Sequence, residues 1–290
     1  MSDTLKEIFE SGASALTQEN GLNDKSTSRL DALILLLHCA NLTKEQYYTH
    51  PELHISRKAI LKYHRMIDDR KNGYCTAALI GCKEFYKYSF QTSKHTLIPR
   101  SDSEMLVEIA LDQAEKHSGT VHILDLCTGT GCIGISIAKD LQEKKRKCEL
   151  TLSDISKRAL KIAELNCASL NVEAKAIESD LFAKMKGCKY DIITANPPYV
   201  SKNAYARLKA EVLMEPKRAL IAEDDGFAIV RRIITNSPFH MAPEACLIIE
   251  MDPDQTNAAA DLAVANGFEQ VEIFKDLAGR SRGIKGSIPK

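Results

Sequence analysis

Residues 122–138, which read HILDLCTGTGCIGISIA, combine an apolar run, a glycine-rich turn and a second apolar segment at helical spacing. Gly129, Gly131 and Gly134 form a Gly-x-Gly-x-x-Gly pattern. Glycine tolerates unusual backbone angles there and lets a ligand approach the bare main chain. A buried strand that enters a helix through such a turn is typical of a parallel sheet that binds its ligand beyond the carboxyl ends of the strands. This stretch therefore favours an α/β fold with a ligand site at the turn.

The chain from residue 121 onward alternates strand-like and helix-like segments, which indicates parallel strands joined by crossover helices. The predicted strands are residues 121–126, 149–153, 174–178, 190–195, 245–251, 269–275 and a last one at 282–288. The predicted helices are residues 131–144, 156–170, 226–236 and 255–266. The fold class is predicted to be α/β, a Rossmann-like and mostly parallel sheet with helices on both faces.

The first part of the chain is helix-like and predicts a small helical domain over residues 1–82. The segment 29–42, RLDALILLLHCANL, is apolar nearly all round, and 56–73 places Ile60, Tyr63, His64 and Ile67 on one stripe before Gly73. This domain either supports the rest of the chain or docks a partner, and the residues alone do not choose between the two.

Aromatic and β-branched residues around Gln91-Thr92-Ser93 indicate a hairpin, which we assign to a linker at 83–98. The ligand-binding domain then covers 99–290. The sequence Ser-Asp-Ser-Glu at 101–104 has capping-box spacing and predicts a helix through about Ala114.

Composition excludes several classes of protein. Lys plus Arg equals Asp plus Glu at 39 each, so no overall field attracts nucleic acid or an anionic membrane. The nine cysteines form no Cys-x-x-Cys pair, and Pro51 argues against a helix that would align His50 with His54 as metal ligands. We expect reduced thiols, no metal, no stable nucleic-acid or membrane partner, a monomer and a cytoplasmic location.

A carboxylate at Asp154 predicts a nucleoside-containing cofactor. It lies 20 residues past Gly134, at the end of the next predicted strand, where an acid accepts hydrogen bonds from ribose hydroxyls. This pattern fits both a dinucleotide and S-adenosylmethionine. Asp125 favours S-adenosylmethionine, because a carboxylate at that strand end suits an ammonium group and would repel a pyrophosphate.

The run Asp191 to Val200, DIITANPPYV, ends a buried strand in Asn-Pro-Pro-Tyr at the same predicted edge. Consecutive prolines are stiff and carry no N–H, so their carbonyls can face a ligand, while Asn196 adds an acceptor and Tyr199 a flat ring. These groups suit a planar NH₂ whose hydrogens are accepted by Asn196 and a proline carbonyl. A plain turn is the alternative.

Together these residues resemble the class I S-adenosylmethionine methyltransferases, and within them the HemK-type enzymes that methylate glutamine N5 in peptide-chain release factors. The segments LIPRSDSE, LDLCTGTG, NPPY and EVLMEPKRAL are similar to family motifs. The first of these is similar to the family's Leu-Ile-Pro-Arg-Pro-Asp-Thr-Glu segment. The resemblance implies methyl transfer to the glutamine of a Gly-Gly-Gln loop, with S-adenosylmethionine as cofactor and helical-domain docking of the release factor.

The resemblance also implies roles for individual residues. It assigns cofactor binding to Asp125, Cys127, Thr128, Gly129, Thr130, Gly131, Asp154, Asp180, Leu181 and Asn196. Asp180 would face the adenine amine and Leu181 would pack on the cofactor. It assigns the glutamine clamp to Asn196, Pro197, Pro198 and Tyr199. This chain departs from the family pattern at Cys127, Ser101 and Asp252. The departure at Cys127 bears on cofactor access, and those at Ser101 and Asp252 put local loop geometry in question.

Other activities remain compatible with the motifs. A ribosomal-protein glutamine is a second possible acceptor, and Asn-Pro-Pro-Tyr also occurs in DNA adenine methyltransferases, although neutral charge argues against duplex DNA. A nicotinamide dehydrogenase and a non-catalytic release-factor-binding module are the alternatives from other classes.

Overall fold

The computed structural model describes residues 3–18, 25–276 and 278–289. The chain forms two compact units, which are described separately below. The first unit contains Met1–Gly81 and Lys209–Met214, and the second contains Cys82–Leu208 and Glu215–Lys290. The short return of the chain to the first unit at Lys209–Met214 is a feature that the sequence did not indicate.

The first unit is helical, as predicted. Its helices are α1 Leu5–Gln18, α2 Lys25–Ala40, α3 Lys44–Thr49, α4 Arg57–Lys71 and α5 Thr76–Ile80. Apolar side chains of α1, α2 and α4 form its core, in which Leu35, Leu36 and Tyr63 are fully buried. Ser56 caps α4 by accepting a 3.2 Å hydrogen bond from the Ala59 N–H, which satisfies one of the unpaired donors of the first turn.

The buried stripe of α4 differs from the predicted one. Tyr63 and Ile67 are buried, but His64 is exposed, and Met66 and Arg70 are buried in its place. Arg70 donates to Asp31 at 2.8 Å and to Glu211 at 2.5 Å, and Glu211 lies in the returning segment. A guanidinium paired with two carboxylates can be buried, and apolar periodicity does not reveal such a residue.

The predicted hairpin forms from β1 Cys82–Phe85 and β2 Tyr88–Gln91, but its turn lies at Tyr86–Lys87 and not at Gln-Thr-Ser. Tyr86 has a positive φ of 56° in this turn. Phe85 and Phe90 are buried in the core of the second unit, so the hairpin belongs to that unit and is not a free connector.

The second unit is built on one seven-stranded sheet. Its strands are β3 Val121–Leu126, β4 Cys148–Asp154, β5 Ala174–Glu178, β6 Tyr190–Ala195, β7 Met241–Glu250, β8 Glu269–Lys275 and β9 Ser281–Ser287. The strand order is β5-β4-β3-β6-β7-β9-β8, in which β9 pairs antiparallel with both β7 and β8 and the other pairs are parallel. The carboxyl ends of β3 to β7 therefore meet at one edge.

Helices cover both faces of this sheet. They are α6 Glu104–Ala114, α7 Cys132–Glu143, α8 Lys157–Leu170, α11 Ala228–Asn236 and α12 Thr256–Ala265. Of the two short helices, α9 Lys202–Tyr205 follows β6 and buries no residue, and α10 Ala210–Leu213 lies in the returning segment of the first unit. Strand β3 shows the two-sided burial, because Ile123 packs with α6, α7 and α8, whereas Leu124 packs with α11 and α12. Alternate residues of a central parallel strand face opposite layers of helices, so both must be apolar.

The predicted α/β class is confirmed, and most predicted elements agree with the structure within one or two residues. Strand β7 is an exception, since it begins at Met241 and not at residue 245.

The prediction of a capping box at 101–104 is wrong. Residues Ser101–Ser103 form a 3₁₀ turn, and the Glu104 carboxylate accepts the Tyr86 N–H at 3.0 Å. Within the described ranges, no helix combines the length and the apolar character that crossing a membrane requires.

Candidate active site

A cavity of about 700 Å³ opens in the second unit at the carboxyl edge of the sheet. Loops that follow β3, β4, β5 and β6 contribute to its wall. Of the residues predicted from sequence, those that line it are Cys127, Thr128, Gly129, Thr130, Asp154, Asp180, Leu181, Asn196 and Pro198. Cavities that enclose a small organic ligand usually have 300–1,000 Å³, so the volume suits a nucleoside cofactor.

The glycine loop turns sharply between β3 and α7. Cys127, Gly129 and Gly131 have φ values of 55°, 56° and 82°, a region that costs energy for residues other than glycine. A β-carbon on Gly131 would lie 2.6 Å from the Ile135 side chain, whereas one on Gly129 would meet no atom within 4 Å. The main chain at Gly129 is therefore open to a ligand.

Asp125 is placed differently from the prediction. It is 1% exposed and does not line the cavity. Its carboxylate accepts hydrogen bonds from Thr128 Oγ1 at 2.5 Å, Thr194 Oγ1 at 2.8 Å and Gly134 N–H at 3.2 Å. Burial raises the pKa of Asp125 to about 6, against the effect of these donors. Asp125 thus holds the glycine loop from beneath and does not present its carboxylate to a ligand ammonium.

Asp154 faces the cavity at the end of β4. Its carboxylate accepts the Gly129 N–H at 2.9 Å and the Ser156 N–H at 2.8 Å, one on each oxygen. Burial raises the pKa of Asp154, and these two backbone donors oppose the shift. Each carboxylate oxygen keeps a second lone pair, so Asp154 can accept hydrogen bonds from two neighbouring hydroxyls.

Asp180 and Leu181 follow β5 and close another side of the cavity. Asp180 accepts a 2.9 Å hydrogen bond from Arg232 of α11, and both side chains are about half exposed. Leu181 is 8% exposed and has a φ of 48°, an uncommon value for a branched apolar residue. A charged pair thus lies beside an apolar surface on the same wall.

Asn196 lies on the cavity wall directly after β6. Its side-chain N–H donates to the Ser103 hydroxyl at 2.9 Å. Ser103 in turn donates to Glu250 at 2.6 Å, and the Tyr199 hydroxyl donates to the same carboxylate at 3.3 Å. Burial raises the pKa of Glu250, while both hydroxyls and the charge of Arg282 oppose this shift.

The remaining Asn-Pro-Pro-Tyr residues are held in place behind Asn196 and Pro198. Pro197 is buried, and neither it nor Tyr199 lines the cavity. The Tyr199 carbonyl accepts Gln255 Nε2 at 3.1 Å, and burial beside Glu250 raises the pKa of the Tyr199 phenol. The expectation that the Tyr199 ring offers a stacking face to the cavity is therefore not met in this structure.

Sequence reasoning missed several residues of the site, which are Ser103, Asn166, Arg232 and Glu250. Asn166 is buried and joins the hairpin to the glycine loop, because its amide donates to the carbonyls of Gln91 at 3.1 Å and Thr130 at 2.9 Å. Glu250 ends β7, so the rule that ligands bind beyond strand ends could have found it. Ser103 lies in the segment LIPRSDSE that resembles a family motif, whereas Asn166 and Arg232 give no local signal.

Of the three departures from the family pattern, the two that lie outside the glycine loop have ordinary local roles. Ser101 begins the 3₁₀ turn before α6, and the Asp252 carboxylate accepts the Asp254 N–H at 3.0 Å at the start of a second 3₁₀ turn. Only the third, Cys127, lies on the cavity itself.

The residues on the wall fit S-adenosylmethionine. They provide open main chain at Gly129, spare acceptors on Asp154 and an apolar surface at Leu181 next to Asp180. In the described part of the chain, no group of three His, Cys, Asp or Glu side chains is arranged to hold a metal ion. The fold and the site define a class I methyltransferase whose cofactor is S-adenosylmethionine.

Comparison with known proteins gives the family. Residues 101–232 match the methyltransferase small domain model, and residues 7–81 match the PrmC N-terminal domain model. The chain is 35% identical to the release factor glutamine methyltransferase of Borreliella burgdorferi, with 88% of this chain and 87% of that protein covered. It is 31% identical to the protein of the same name from Haemophilus influenzae, with 90% and 91% covered. The chain belongs to the release factor glutamine methyltransferase family.

Solved structures show more distant likeness. One is a methyltransferase from Pyrococcus furiosus, which is 14% identical with a TM-score of 0.47 and covers 78% of this chain and 99% of that one.

Proposed function

We propose that this protein transfers a methyl group from S-adenosylmethionine to the side-chain amide nitrogen of the glutamine in the Gly-Gly-Gln loop of a peptide-chain release factor. The observation that carries the proposal is the position of Asn196, which lines the same cavity as the glycine loop while its N–H is bonded to Ser103. Its amide oxygen is left as an acceptor beside the cofactor site. The names of the two relatives add support for the release factor as substrate.

The acceptor nitrogen is a poor nucleophile because its lone pair is delocalised into the carbonyl. The Asn196 oxygen and a carbonyl of the Pro197-Pro198 pair would accept the two N–H groups of the glutamine and hold its nitrogen in line for attack. The cofactor supplies an electrophilic methyl group on a sulfonium. Positive charge grows on the nitrogen during transfer, so acceptors fixed beforehand stabilise this change more than they stabilise bound substrate. The excess proton leaves the nitrogen after transfer.

For cofactor binding, the roles that the family resemblance implies are proposed for the residues on the cavity wall, and a different role is proposed for Asp125. Asp154 would accept the ribose hydroxyls, Asp180 would accept the adenine amine, and Leu181 would pack against the cofactor. The glycine loop would contact the cofactor through its main chain at Gly129. Asp125 would act indirectly, because it holds this loop from beneath.

The helical unit would dock the body of the release factor and deliver its glutamine loop to the second unit. Its match to the PrmC N-terminal domain supports this role. Release factors act where proteins are synthesised, so the protein would work in the cytoplasm.

Labelled S-adenosylmethionine and purified release factor test the proposal. We expect label in the wild-type factor and none in a factor whose Gly-Gly-Gln glutamine is replaced by alanine. Asn196→Ala should lose nearly all transfer while its affinity for S-adenosylmethionine stays close to wild type. Parallel reactions with ribosomal protein and with DNA, the latter digested and analysed for N6-methyladenine, cover the other acceptors. Label in either of these, without label in the release factor, would refute the proposal.

A further inference from the structure

We infer that Glu250 is a positioning residue which acts through Ser103 to fix the direction of the Asn196 amide, so that the amide oxygen and not the NH₂ faces the methyl acceptor. This inference rests on the proposed function. It adds two buried residues to the four of the Asn-Pro-Pro-Tyr clamp, of which Ser103 borders the cavity and Glu250 does not.

The fold brings the three groups together at one edge. Strands β6 and β7 are parallel neighbours in which Ala195 pairs with Ile249, so Asn196 and Glu250 occupy the next register position at the carboxyl edge. Ser103 ends the 3₁₀ turn Ser101–Ser103. Residues distant in sequence thus form one chain of hydrogen bonds.

The direction of the Asn196 amide follows from counting protons. An ionised carboxylate only accepts, so the single proton of Ser103 is used in the 2.6 Å bond to Glu250. The Ser103 oxygen then has only lone pairs for Asn196, which must turn its NH₂ toward it at 2.9 Å. In the reversed orientation two acceptor oxygens would face each other. The Asn196 oxygen is consequently the atom that remains for a substrate NH₂.

Glu250 is kept away from the reaction itself. Ser103 and Glu250 are each 2% exposed, and Glu250 does not line the cavity. Glu250 therefore does not act as a base on the glutamine. Its second oxygen accepts the Tyr199 hydroxyl at 3.3 Å, so each carboxylate oxygen faces a hydroxyl donor. Burial raises the pKa of Glu250, and these two hydroxyls and the charge of Arg282 oppose this shift.

An amide in place of this carboxylate would remove the constraint. In Glu250→Gln, the new NH₂ can donate to Ser103, which frees the Ser103 proton to bond the Asn196 oxygen. The Asn196 NH₂ would then face the substrate NH₂, and two donors repel. We expect kcat to fall roughly 10- to 100-fold, as when preorganised groups lose their orientation, with no change in the Kd of S-adenosylmethionine.

Four further variants separate positioning from a general loss of packing. Ser103→Ala should lower kcat to a similar degree, and the double variant with Glu250→Gln should be no slower than the slower single variant. Ser103→Thr keeps a hydroxyl and should retain transfer. Asp140→Asn is the matched control, because Asp140 is also a buried carboxylate that accepts a tyrosine hydroxyl, from Tyr88 at 2.6 Å, and it lies outside the cavity.

The experiment measures kcat, KM and cofactor Kd for these variants of the full-length protein, with unfolding midpoints for each. The ¹⁵N resonance of the Asn196 side chain, assigned by its loss in Asn196→Ala, gives a readout without turnover and should shift in Glu250→Gln and not in Asp140→Asn. Wild-type kcat in Glu250→Gln, or equal losses of cofactor affinity and transfer, would overturn the inference. A wild-type protein that labels no glutamine would instead refute the proposed function.

Discussion

Asp154 accepts the backbone N–H of Gly129 at 2.9 Å, so the end of β4 is joined directly to the loop that leaves β3. One carboxylate thereby shapes the glycine loop and still has lone pairs that face the cavity. Cofactor binding and loop geometry are coupled through this single side chain.

Asp154→Ala should weaken S-adenosylmethionine binding by at least about tenfold, because charge-assisted hydrogen bonds are worth roughly 1.5–3 kcal/mol. Isothermal titration calorimetry gives the Kd. Asp191→Ala is the matched control, since Asp191 is the second residue of β6, near the opposite edge of the sheet, where it accepts the backbone N–H of His122 at 2.7 Å. Equal Kd values for Asp154→Ala and wild type would remove Asp154 from the ribose site.

Asp125 should make the stability of the second unit depend on pH. Burial raises its pKa to about 6, above the roughly 3.9 of a free aspartate, so the folded state holds a proton that the unfolded state releases between these values. The contribution of Asp125 to stability is fully present below pH 4 and is lost as the pH rises to 6, by about 3 kcal/mol. We expect the free energy of unfolding of wild type, minus that of Asp125→Asn, to decline over this interval.

Urea unfolding at several values between pH 4 and pH 7 measures this difference. Parallel profiles for the two proteins, or a difference that grows with pH, would contradict the assignment. The comparison with Asp125→Asn cancels the titration of the other carboxylates, which are common to both chains.

Cys127→Gly should stabilise the protein. Cys127 has a φ of 55°, which costs a residue with a β-carbon roughly 1–2 kcal/mol, and glycine removes most of that cost. Part of the gain is offset by the greater freedom of glycine in the unfolded chain, so the net change should be about 0.5–1 kcal/mol. Cys127→Ala keeps the β-carbon and should show no gain in denaturant unfolding. A similar gain in both variants would mean that the thiol, and not the backbone, is the source of strain.

Gly226→Ala should displace the main chain of the Asn-Pro-Pro-Tyr loop. A β-carbon at Gly226 would lie 2.1 Å from the Tyr199 carbonyl oxygen, so the loop must move. We expect a loss of kcat together with a loss of stability of about 1–3 kcal/mol, the usual range for overpacking.

Gly267→Ala provides the comparison for this variant. Gly226 and Gly267 have similar φ values of 91° and 85°, but a β-carbon at Gly267 would meet no atom within 4 Å. Gly267→Ala should therefore lose about 1 kcal/mol from backbone strain alone and keep its kcat. Methyl-transfer rates and denaturant unfolding curves of both variants test this prediction. Equal kcat values for Gly226→Ala and Gly267→Ala would show that the Asn-Pro-Pro-Tyr loop tolerates the added β-carbon.

Local patterns were sufficient for the elements and for most of the cavity wall. The segment 121–126 is apolar at Val121, Ile123, Leu124 and Leu126, and the structure has a strand over those same residues, because alternate residues of a central parallel strand pack against opposite layers of helices. Gly129, Asp154 and Asn196 lie at or within three residues of the carboxyl ends of parallel strands of one sheet. Their sequence positions alone therefore indicate that they meet at one edge.

The sequence did not predict the direction in which individual side chains point. Asp125 and Tyr199 are close in sequence to residues that line the cavity. However, the Asp125 carboxylate accepts hydrogen bonds from Thr128 and Thr194, and the Tyr199 hydroxyl donates to Glu250, so neither polar group faces the cavity. A sequence pattern indicates which side chains lie at an edge of the sheet, but it does not indicate which hydrogen-bond partners those side chains have.

By itself, the sequence determined the α/β fold, the helical first unit, the cofactor loop and the location of the clamp, because each depends on periodicity or on residues that are close along the chain. Only the tertiary structure decided that Lys209–Met214 returns to the first unit and that Ser103 and Glu250 lie behind Asn196. These arrangements depend on hydrogen bonds and ion pairs between residues up to 147 positions apart, which leave no mark on local composition. Buried polar groups must find partners wherever the packed chain provides them, so their pairing is fixed by the fold as a whole.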